Sequence, residues 1–527
     1  MLETATEAGP AGVPDIVWDD VIVGGGSAGC VLAARLSENP ERRVLLLEAG
    51  SDTTLAPPPQ ALLDAHAPVL DGHNWDHAAY TGPASERGRR YPYPTGKVVG
   101  GSSAVNGAMA VRALPDDFDA WARAGNPEWA WDQVLPYFRK VESDHDFRGE
   151  AHGDFGPIPI RRPRADRLGP LPQAFVKACA DLGLPFVPDL NADARSGCGP
   201  TPTNVADRQR VSTAGAYLAP ARSRPNLTVC EHSQVDRVVL DGRCAVGVRG
   251  RRGGRSFRVR AQRVTVSAGA LATPGILQRS GIGDPTTLRA LGVAPVAALP
   301  GVGENLVDHP AVVFWAVPAP GACRDGEPWH QVLARAATTP GPPDFQIYLL
   351  NNVATDQLPI LTGLLGAPIA AAVSAMLLNP VSRGAVRLPN AHPDTAPVID
   401  LQLASAPADV ERLMAGVRLA WQIVRSGPMA DLLDRVLLWN DRMVEDDARL
   451  RRAVTSFVSP TWHAAGTARM GPAGDPRAVV DPHCRVHGMD GLRVVDASAM
   501  PSLPSAPPNL SCIMLAERAA EWMDTER

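Results

Sequence analysis

The stretch Asp20–Gly50, DVIVGGGSAGCVLAARLSENPERRVLLLEAG, decides the fold. The β-branched run Val21-Ile22-Val23 gives way at once to Gly24-x-Gly26-x-x-Gly29, Ala28 to Leu36 carries helical apolar spacing, and Val44 to Leu47 forms a second strand that ends on Glu48. Gly24 permits a tight turn, Gly26 lets the backbone approach a pyrophosphate, and Gly29 lets the helix pack close to the sheet. Ser27 and Ala28 belong to this phosphate turn, where the helix N-terminus offers unpaired N–H groups to a phosphate. Glu48, nineteen residues beyond Gly29, stands where a carboxylate accepts both hydroxyls of an adenosine ribose. Strand, turn, helix and terminal acid in register predict a dinucleotide-binding βαβ unit.

A chain of 527 residues is too long for one simple core, so two domains are expected. A net charge of -5 gives no electrostatic reason to expect nucleic acid or an anionic membrane as a partner. Eight cysteines without a C-x-x-C pair indicate neither a disulfide framework nor a zinc ribbon, and reduced, cytoplasmic thiols are the default. Met1 to Trp18 has neither a basic start nor an apolar run, so it reads as a disordered lead-in and not as a signal peptide. Leu358 to Leu378 carries no charge and is long enough to span a membrane. Pro359, Gly363, Gly366 and Pro368 interrupt it, and the better reading is an apolar wall or lid over a binding site.

Beyond Glu48, Ser51 to Tyr93 is rich in Pro, Asp, His and Gly and reads as a long lid-like surface excursion, followed by a second glycine cluster, Gly96 to Gly107. The tryptophans Trp121, Trp129 and Trp131 are read as packing. From Asn226 to Ala268 short alternating strands (Leu227–Cys230, Val235–Leu240, Ala245–Arg249, Phe257–Val259) predict an antiparallel meander, and the arginines around Gly253-Gly254 read as a solvated hairpin tip. Between Ala311 and Val454 the strands Phe345–Leu350 and Gly384–Leu388 and a helix over Pro407–Arg425 carry no phosphate turn, so this block reads as a second domain inserted in the first. The strand Gly491–Asp496 and a helix from about Ser511 to Asp524 return to the nucleotide domain. The expected fold is α/β (α+β overall), a Rossmann-like domain with a meander plus an inserted antiparallel-sheet domain. Its segments are 15–310 with the excursion 51–95, then 311–454, then 455–527.

Together these pieces resemble the glucose-methanol-choline (GMC) oxidoreductases. Gly96 to Asn106, with the downstream spacing to Asp119, is similar to the family's first signature. Gly269 to Gly283, with Thr273-Pro274 and Ser280-Gly281-Ile282-Gly283, is similar to its second. Trp462-His463-Ala464-Ala465-Gly466 is similar to the segment that carries the family's active-site histidine, and Asn509 stands at the second active-site position. Among branches the pattern looks most like bacterial alcohol and aryl-alcohol oxidases of the hydroxymethylfurfural type and choline dehydrogenases. The resemblance implies FAD, held by Gly24, Gly26, Ser27, Ala28, Gly29, Glu48, Ala49, Gly100, Ser103, Asn106, Gly107, Met109, Val235, Ala268, Trp462, Asp496, Ala497 and Leu510. Val105, where covalent members carry histidine, implies non-covalent attachment, and Ser511 replaces a proline common in the family.

An alcohol O–H does not ionise at neutral pH, so a base must take its proton while carbon delivers hydride to flavin N5. His463 is the expected base, with Asn509 donating a hydrogen bond to the developing alkoxide. The expected activity is oxidation of a primary, apolar or aromatic alcohol, with oxygen or another acceptor reoxidising the flavin. A hydroxynitrile lyase-type reaction on the same fold is the alternative, with photodecarboxylation a more distant one. No metal site is expected, because His483-Cys484-x-x-His487 lacks further nearby ligands. A serine hydrolase reading fails, because Gly25-Gly26-Ser27-Ala28-Gly29, although it fits G-x-S-x-G, belongs to the phosphate turn and is no nucleophile elbow.

Overall fold

In the computed structural model, residues 9, 10, 12–82 and 88–526 are described. Half of the lead-in expected over Met1–Trp18, residues 1–8 and 11, lies outside them, and its last two residues instead open the first strand.

The opening unit forms as read: β1 (Val17–Val23), α1 (Ser27–Leu36) and β2 (Val44–Leu47), with β1 and β2 parallel. Leu227–Cys230, expected in the meander, is instead a parallel edge strand, β3, beside β2. Its chain arrives from far away over the surface, so local alternation gave no hint of direction. The meander proper is β4 (Ser233–Asp241), β5 (Cys244–Arg252) and β6 (Arg255–Val266), joined antiparallel. β6 is long enough to serve two partners. Its first half pairs with β5, while Val264–Val266 sits parallel between β1 and a late strand that ends on Val494. The result is a seven-stranded mixed sheet whose parallel strands are buried on both faces, as the unbroken apolar runs Val21–Val23 and Val44–Leu47 require.

A second seven-stranded sheet is antiparallel throughout. Its centre is β7 (Pro310–Pro318), β8 (Val332–Ala336), β9 (Phe345–Ala354) and β10 (Ile369–Leu377), in the order β7-β10-β9-β8. One face is a core: Val312 and Phe314, Ala371 and Val373, Ile347 and Leu349, and Val332 and Ala334 pack on Leu413, Val417, Ala420 and Trp421 of α2 (Pro407–Arg425). By strand alternation the other face carries Val313, Trp315, Ala372, Ser374, Tyr348, Leu350 and Leu333. Leu333 and Tyr348 on that face join the core of the nucleotide sheet, so the two domains meet here. The chain then closes with β11 (Leu492–Val494) beside β6 and α3 (Asn509–Thr525), a helix buried almost throughout along α1. On α3 the buried Glu517 receives Arg35 of α1 at 2.7 Å and Lys140 at 3.0 Å.

Leu358 to Leu378 is not a single lid. It splits at Gly366 into a short helix, Pro359–Leu365, and the central strand β10. Among the described residues no helix is long and apolar enough to cross a membrane. The excursion is also more ordered than expected, since His77–Tyr80 and Arg90–Tyr93 form a hairpin that pairs with Val398–Asp400 of the second domain. Arg210 clasps its other end by donating to the carbonyls of Leu62, Ala67 and Ala104.

Residues 112–189 enclose a buried ion network. Arg112 meets Glu142 at 2.7 Å, Arg162 meets Asp144 at 2.9 Å and Asp189 at 2.7 Å, and His152 touches all three acids at 2.7–3.1 Å. Three acids face three cations, provided that His152 is protonated. Burial alone would lower its pKa, but the hydrogen bonds to Asp144, Asp189 and Glu142 outweigh that and raise it to about 11. The folded state therefore holds this proton more tightly than the unfolded chain. The stabilisation is complete below the unfolded value of 6.5 and is lost as pH rises through about 11. His152→Ala should cost about 3–5 kcal/mol by leaving buried carboxylates uncompensated. Urea melts at neutral pH and at pH above 11 should show the gap closing; an equal cost at both would mean that the ring acts by packing alone.

Candidate active site

At the phosphate turn each glycine has its own reason. A Cβ on Gly24 would run into the carbonyl of Ser267, just past β6, and its φ of +98° suits glycine alone. A Cβ on Gly29 would land on the Gly24 carbonyl, which is the close helix-to-strand approach. Gly26 differs: its φ is an ordinary −81°, and the nearest protein atom to an added Cβ is 3.9 Å away. Nothing in the protein requires glycine there, whereas a dinucleotide lying on the turn does. Gly100 donates its N–H to the Gly25 carbonyl at 2.7 Å, and Gly101 meets the turn backbone to backbone at Gly26, so the two glycine clusters form one surface.

Glu48 ends β2 with its carboxylate accepting the N–H groups of Gly25 and Gly50, each at 2.7 Å. Burial raises its pKa, and those N–H groups counter the rise. Two N–H bonds leave acceptor capacity on both oxygens for ribose hydroxyls. Val235, buried in β4, lies close by, since Ser233 donates to the Glu48 carbonyl.

Other expected cofactor residues divide by exposure. Gly24, Gly26, Ser27, Ala49, Asn106, Gly107, Met109, Ala268, Trp462 and Ala497 all keep part of their surface accessible, although each lies among buried neighbours. Gly24 lies against Ala268, and Gly26 against the second glycine cluster, so these members border one cleft at the turn. Ala28, Gly29, Gly100, Ser103, Asp496 and Leu510 are buried behind it. Ser103 is committed to the Gly100 carbonyl at 2.6 Å. Asp496 accepts from Gly269, Thr273 and Ser498, which ties the second signature to the C-terminal strand.

His463 stands beside this cleft. All hydrogen bonds of its ring among the described residues pass through Nδ1, which lies 3.0 Å from His309 Nδ1 and 3.0 Å from Thr461 Oγ1. Burial lowers His463 to about 3, while burial and the His463 neighbour push His309 well below the usual imidazole range, so both rings are neutral. His309 Nε2 lies 3.1 Å from the Pro504 carbonyl, which has no proton to give. His309 therefore carries its proton on Nε2 and a lone pair on Nδ1. His463 must donate from Nδ1 into that lone pair, and its Nε2 is left as a free lone pair on the accessible side of the ring.

The backbone is held as firmly. Asp308 accepts the His463 N–H at 3.0 Å, the Thr461 hydroxyl at 3.1 Å and the Tyr93 hydroxyl at 2.6 Å, and Tyr93 in turn accepts from Ala464 N–H at 2.9 Å. Burial raises Asp308 to about 6 against these donors. Trp462, just before His463, takes a left-handed φ of 63°, a strained choice for a bulky residue, and its indole N–H is held by the Pro92 carbonyl. The excursion hairpin thus orients the histidine loop.

Asn509 meets the phosphate turn: its Oδ1 accepts the Ser27 hydroxyl at 2.8 Å, which leaves its amide N–H groups free to donate. Sequence reading missed Tyr93, Asp308, His309 and Thr461. The signal available for them was the pair Asp308-His309 where the inserted block begins and the threonine two before His463. The residues of the rejected metal motif go separate ways, His483 stacking on Trp522 at 4.4 Å and His487 bonding the Gly471 carbonyl.

On the second face of the antiparallel sheet, register sets two rows. Trp315, Ala372 and Leu350 form one, and Val313, Ser374, Tyr348 and Leu333 the next. Val313, Trp315 and Leu350 keep part of their surface accessible, and Trp315 and Leu350 also pack against a small cluster with Val353, Leu361, Leu365 and Ala370.

Residues 18–311 match the family model for the N-terminal part of GMC oxidoreductases, and residues 380–516 match that for the C-terminal part. The chain is 37% identical to 5-(hydroxymethyl)furfural oxidase of Methylovorus sp. (strain MP688), over 97% of this chain and 99% of that one. It is 34% identical to the mitochondrial choline dehydrogenase of Homo sapiens, over 95% and 89%. Among solved structures, pyridoxine 4-oxidase from Mesorbium loti superposes with a TM-score of 0.87 at 32% identity, covering 97% of this chain and all of the other.

Proposed function

Because this chain belongs to the GMC oxidoreductase family and is an FAD-dependent oxidoreductase acting on CH–OH donors, we propose that His463 Nε2 is the base that removes the alcohol proton. One observation carries the reading: the Pro504–His309–His463 chain leaves a neutral lone pair on Nε2 at the edge of the cleft. The alcohol O–H donates to Nε2, and His463 takes the proton as the C–H bond breaks, becoming an imidazolium that faces the oxygen it has deprotonated. FAD, when bound, supplies the hydride acceptor. His309 shares the new charge through Nδ1, and Asp308 and Tyr93 keep the loop from turning the ring away.

The cofactor residues named from the sequence are proposed to hold FAD along the cleft that begins at Gly26. Asn509 is read as a positioning residue, holding the N-terminus of α3 on the phosphate turn, where its unpaired N–H groups favour negative charge. The antiparallel-sheet domain, near 311–454, is the substrate-binding part. Its Trp315–Ala372–Leu350 row suits a flat primary alcohol, and two similar proteins are named for hydroxymethylfurfural and pyridoxine. Attachment is non-covalent, with Val105 offering no nucleophile, and oxygen is the proposed acceptor. The eight free cysteines support a reducing, cytoplasmic setting.

The test is anaerobic: benzylic and furanic primary alcohols should bleach the yellow enzyme, and air should restore the colour with peroxide formed. Acid precipitation should leave the flavin in the supernatant. An enzyme that no alcohol bleaches would remove the reading. Colour that returns only with an artificial acceptor would leave alcohol oxidation standing and replace oxygen.

A further inference from the structure

Resting on the reading of His463 Nε2 as the base, we propose that Asp117 is a positioning residue for it. Asp117 fixes and polarises the Pro504–Ser505 amide, and that amide decides which nitrogen of His463 keeps its lone pair.

Pro504 and Ser505 share one peptide unit. It is trans, so the Pro504 carbonyl and the Ser505 N–H point opposite ways in one plane. The carbonyl meets His309 Nε2 at 3.1 Å, and the N–H donates to Asp117 Oδ2 at 2.8 Å. Asp117 and His309 thus hold the two ends of one dipole, and rotation of the amide would break both bonds. A carboxylate on the N–H also pushes electron density toward the carbonyl oxygen, which makes that oxygen a better acceptor for His309. The rest of Ser505 is engaged as well. Its hydroxyl donates to Asp117 Oδ1 at 2.7 Å and accepts from Asn379 Nδ2, just past β10, at 2.8 Å. Its carbonyl accepts from Gln346 Nε2 of β9 at 3.0 Å.

Helix capping does not account for Asp117 by itself. The residue lies in the first turn of the helix Pro115–Arg123 and accepts the Leu114 N–H at 2.9 Å, a bond that a neutral side chain also supplies. Yet Asp117 is buried, and among the described residues it forms no ion pair. Burial raises it to about 6 against the donors Ser505, Leu114 and Asn379, so it is charged at pH 8. A buried charge without a counter-ion is costly. Here that charge falls on the amide that holds His309. Were the carbonyl released, His309 could keep its proton on Nδ1 and donate it toward His463 Nδ1. His463 would then carry its own proton on Nε2, and the alcohol would find no lone pair there.

The experiment is a double-mutant cycle on the FAD-loaded enzyme at pH 8, reading the rate constant of flavin bleaching by a saturating benzylic alcohol without oxygen. Asp117→Asn should slow bleaching by about tenfold, the size of one hydrogen bond to a charged group, with full flavin content and KM little changed. In a His309→Ala background the same substitution should change the rate by no more than about twofold. A general loosening of the fold would slow both backgrounds alike. Asn379→Ala, at an exposed position, removes a bond to the Ser505 hydroxyl and is carried through the same cycle. Its loss should be smaller and should again vanish without His309, and it decides the matter if Asp117→Asn does not fold. Losses that persist in His309→Ala, or that appear only in KM or flavin content, overturn the inference while His463 stands as the base. A His463→Ala enzyme that bleaches like the wild type removes the reading on which it rests.

Discussion

His463→Ala is expected to slow anaerobic bleaching of the flavin by an alcohol at least about a hundredfold, since a positioned general base contributes about 10² to 10⁴. The variant should retain its FAD, because the His463-Ala464 loop hangs from Asp308, Thr461 and Tyr93 and not from the dinucleotide turn. Rapid-scan absorbance with saturating alcohol separates the two properties: full yellow colour at the start, then slow bleaching. The pH profile adds a check. His463 lies at about 3 in the folded protein, below its ordinary 6.5, so the base is neutral across the working range and loses its lone pair only as pH falls through that lower value. The acid limb of kcat/KM due to this group should accordingly lie well below pH 6.5. A variant that bleaches like the wild type would place the base elsewhere.

Gly26→Val is expected to yield a folded protein without flavin. The backbone at Gly26 accommodates any residue, and an added Cβ meets no protein atom closer than 3.9 Å, so the substitution costs the apoprotein little. The branched side chain would fill the space over the turn that a pyrophosphate needs. Circular dichroism should match that of wild-type apoprotein while the flavin absorbance is absent. Gly29→Val makes the contrast, because its side chain would strike the Gly24 carbonyl and should prevent folding itself. Full flavin content in Gly26→Val would overturn the placement of the dinucleotide on this turn.

The sequence alone was enough to determine the βαβ unit, the turn and packing roles of Gly24 and Gly29 within it, the antiparallel β4–β6 hairpins and the helix Pro407–Arg425. In each of these, periodicity and turn chemistry act over a few tens of residues. It also pointed to His463 through a motif. What it could not determine was partnership across the chain. The direction of Leu227–Cys230 depends on β2, nearly two hundred residues earlier, and Asn509 finds Ser27 across 482 positions. Leu358 to Leu378 read as one apolar wall or lid, and only the register with β7 and β9 made its second half a central strand with Ala372 between Trp315 and Leu350. The protonation of His463 was the least legible of all. It depends on a proline carbonyl that can only accept a proton and on a second histidine 154 residues away, and a tautomer is a property of the hydrogen-bond network that closes around a ring, not of the residue that carries it.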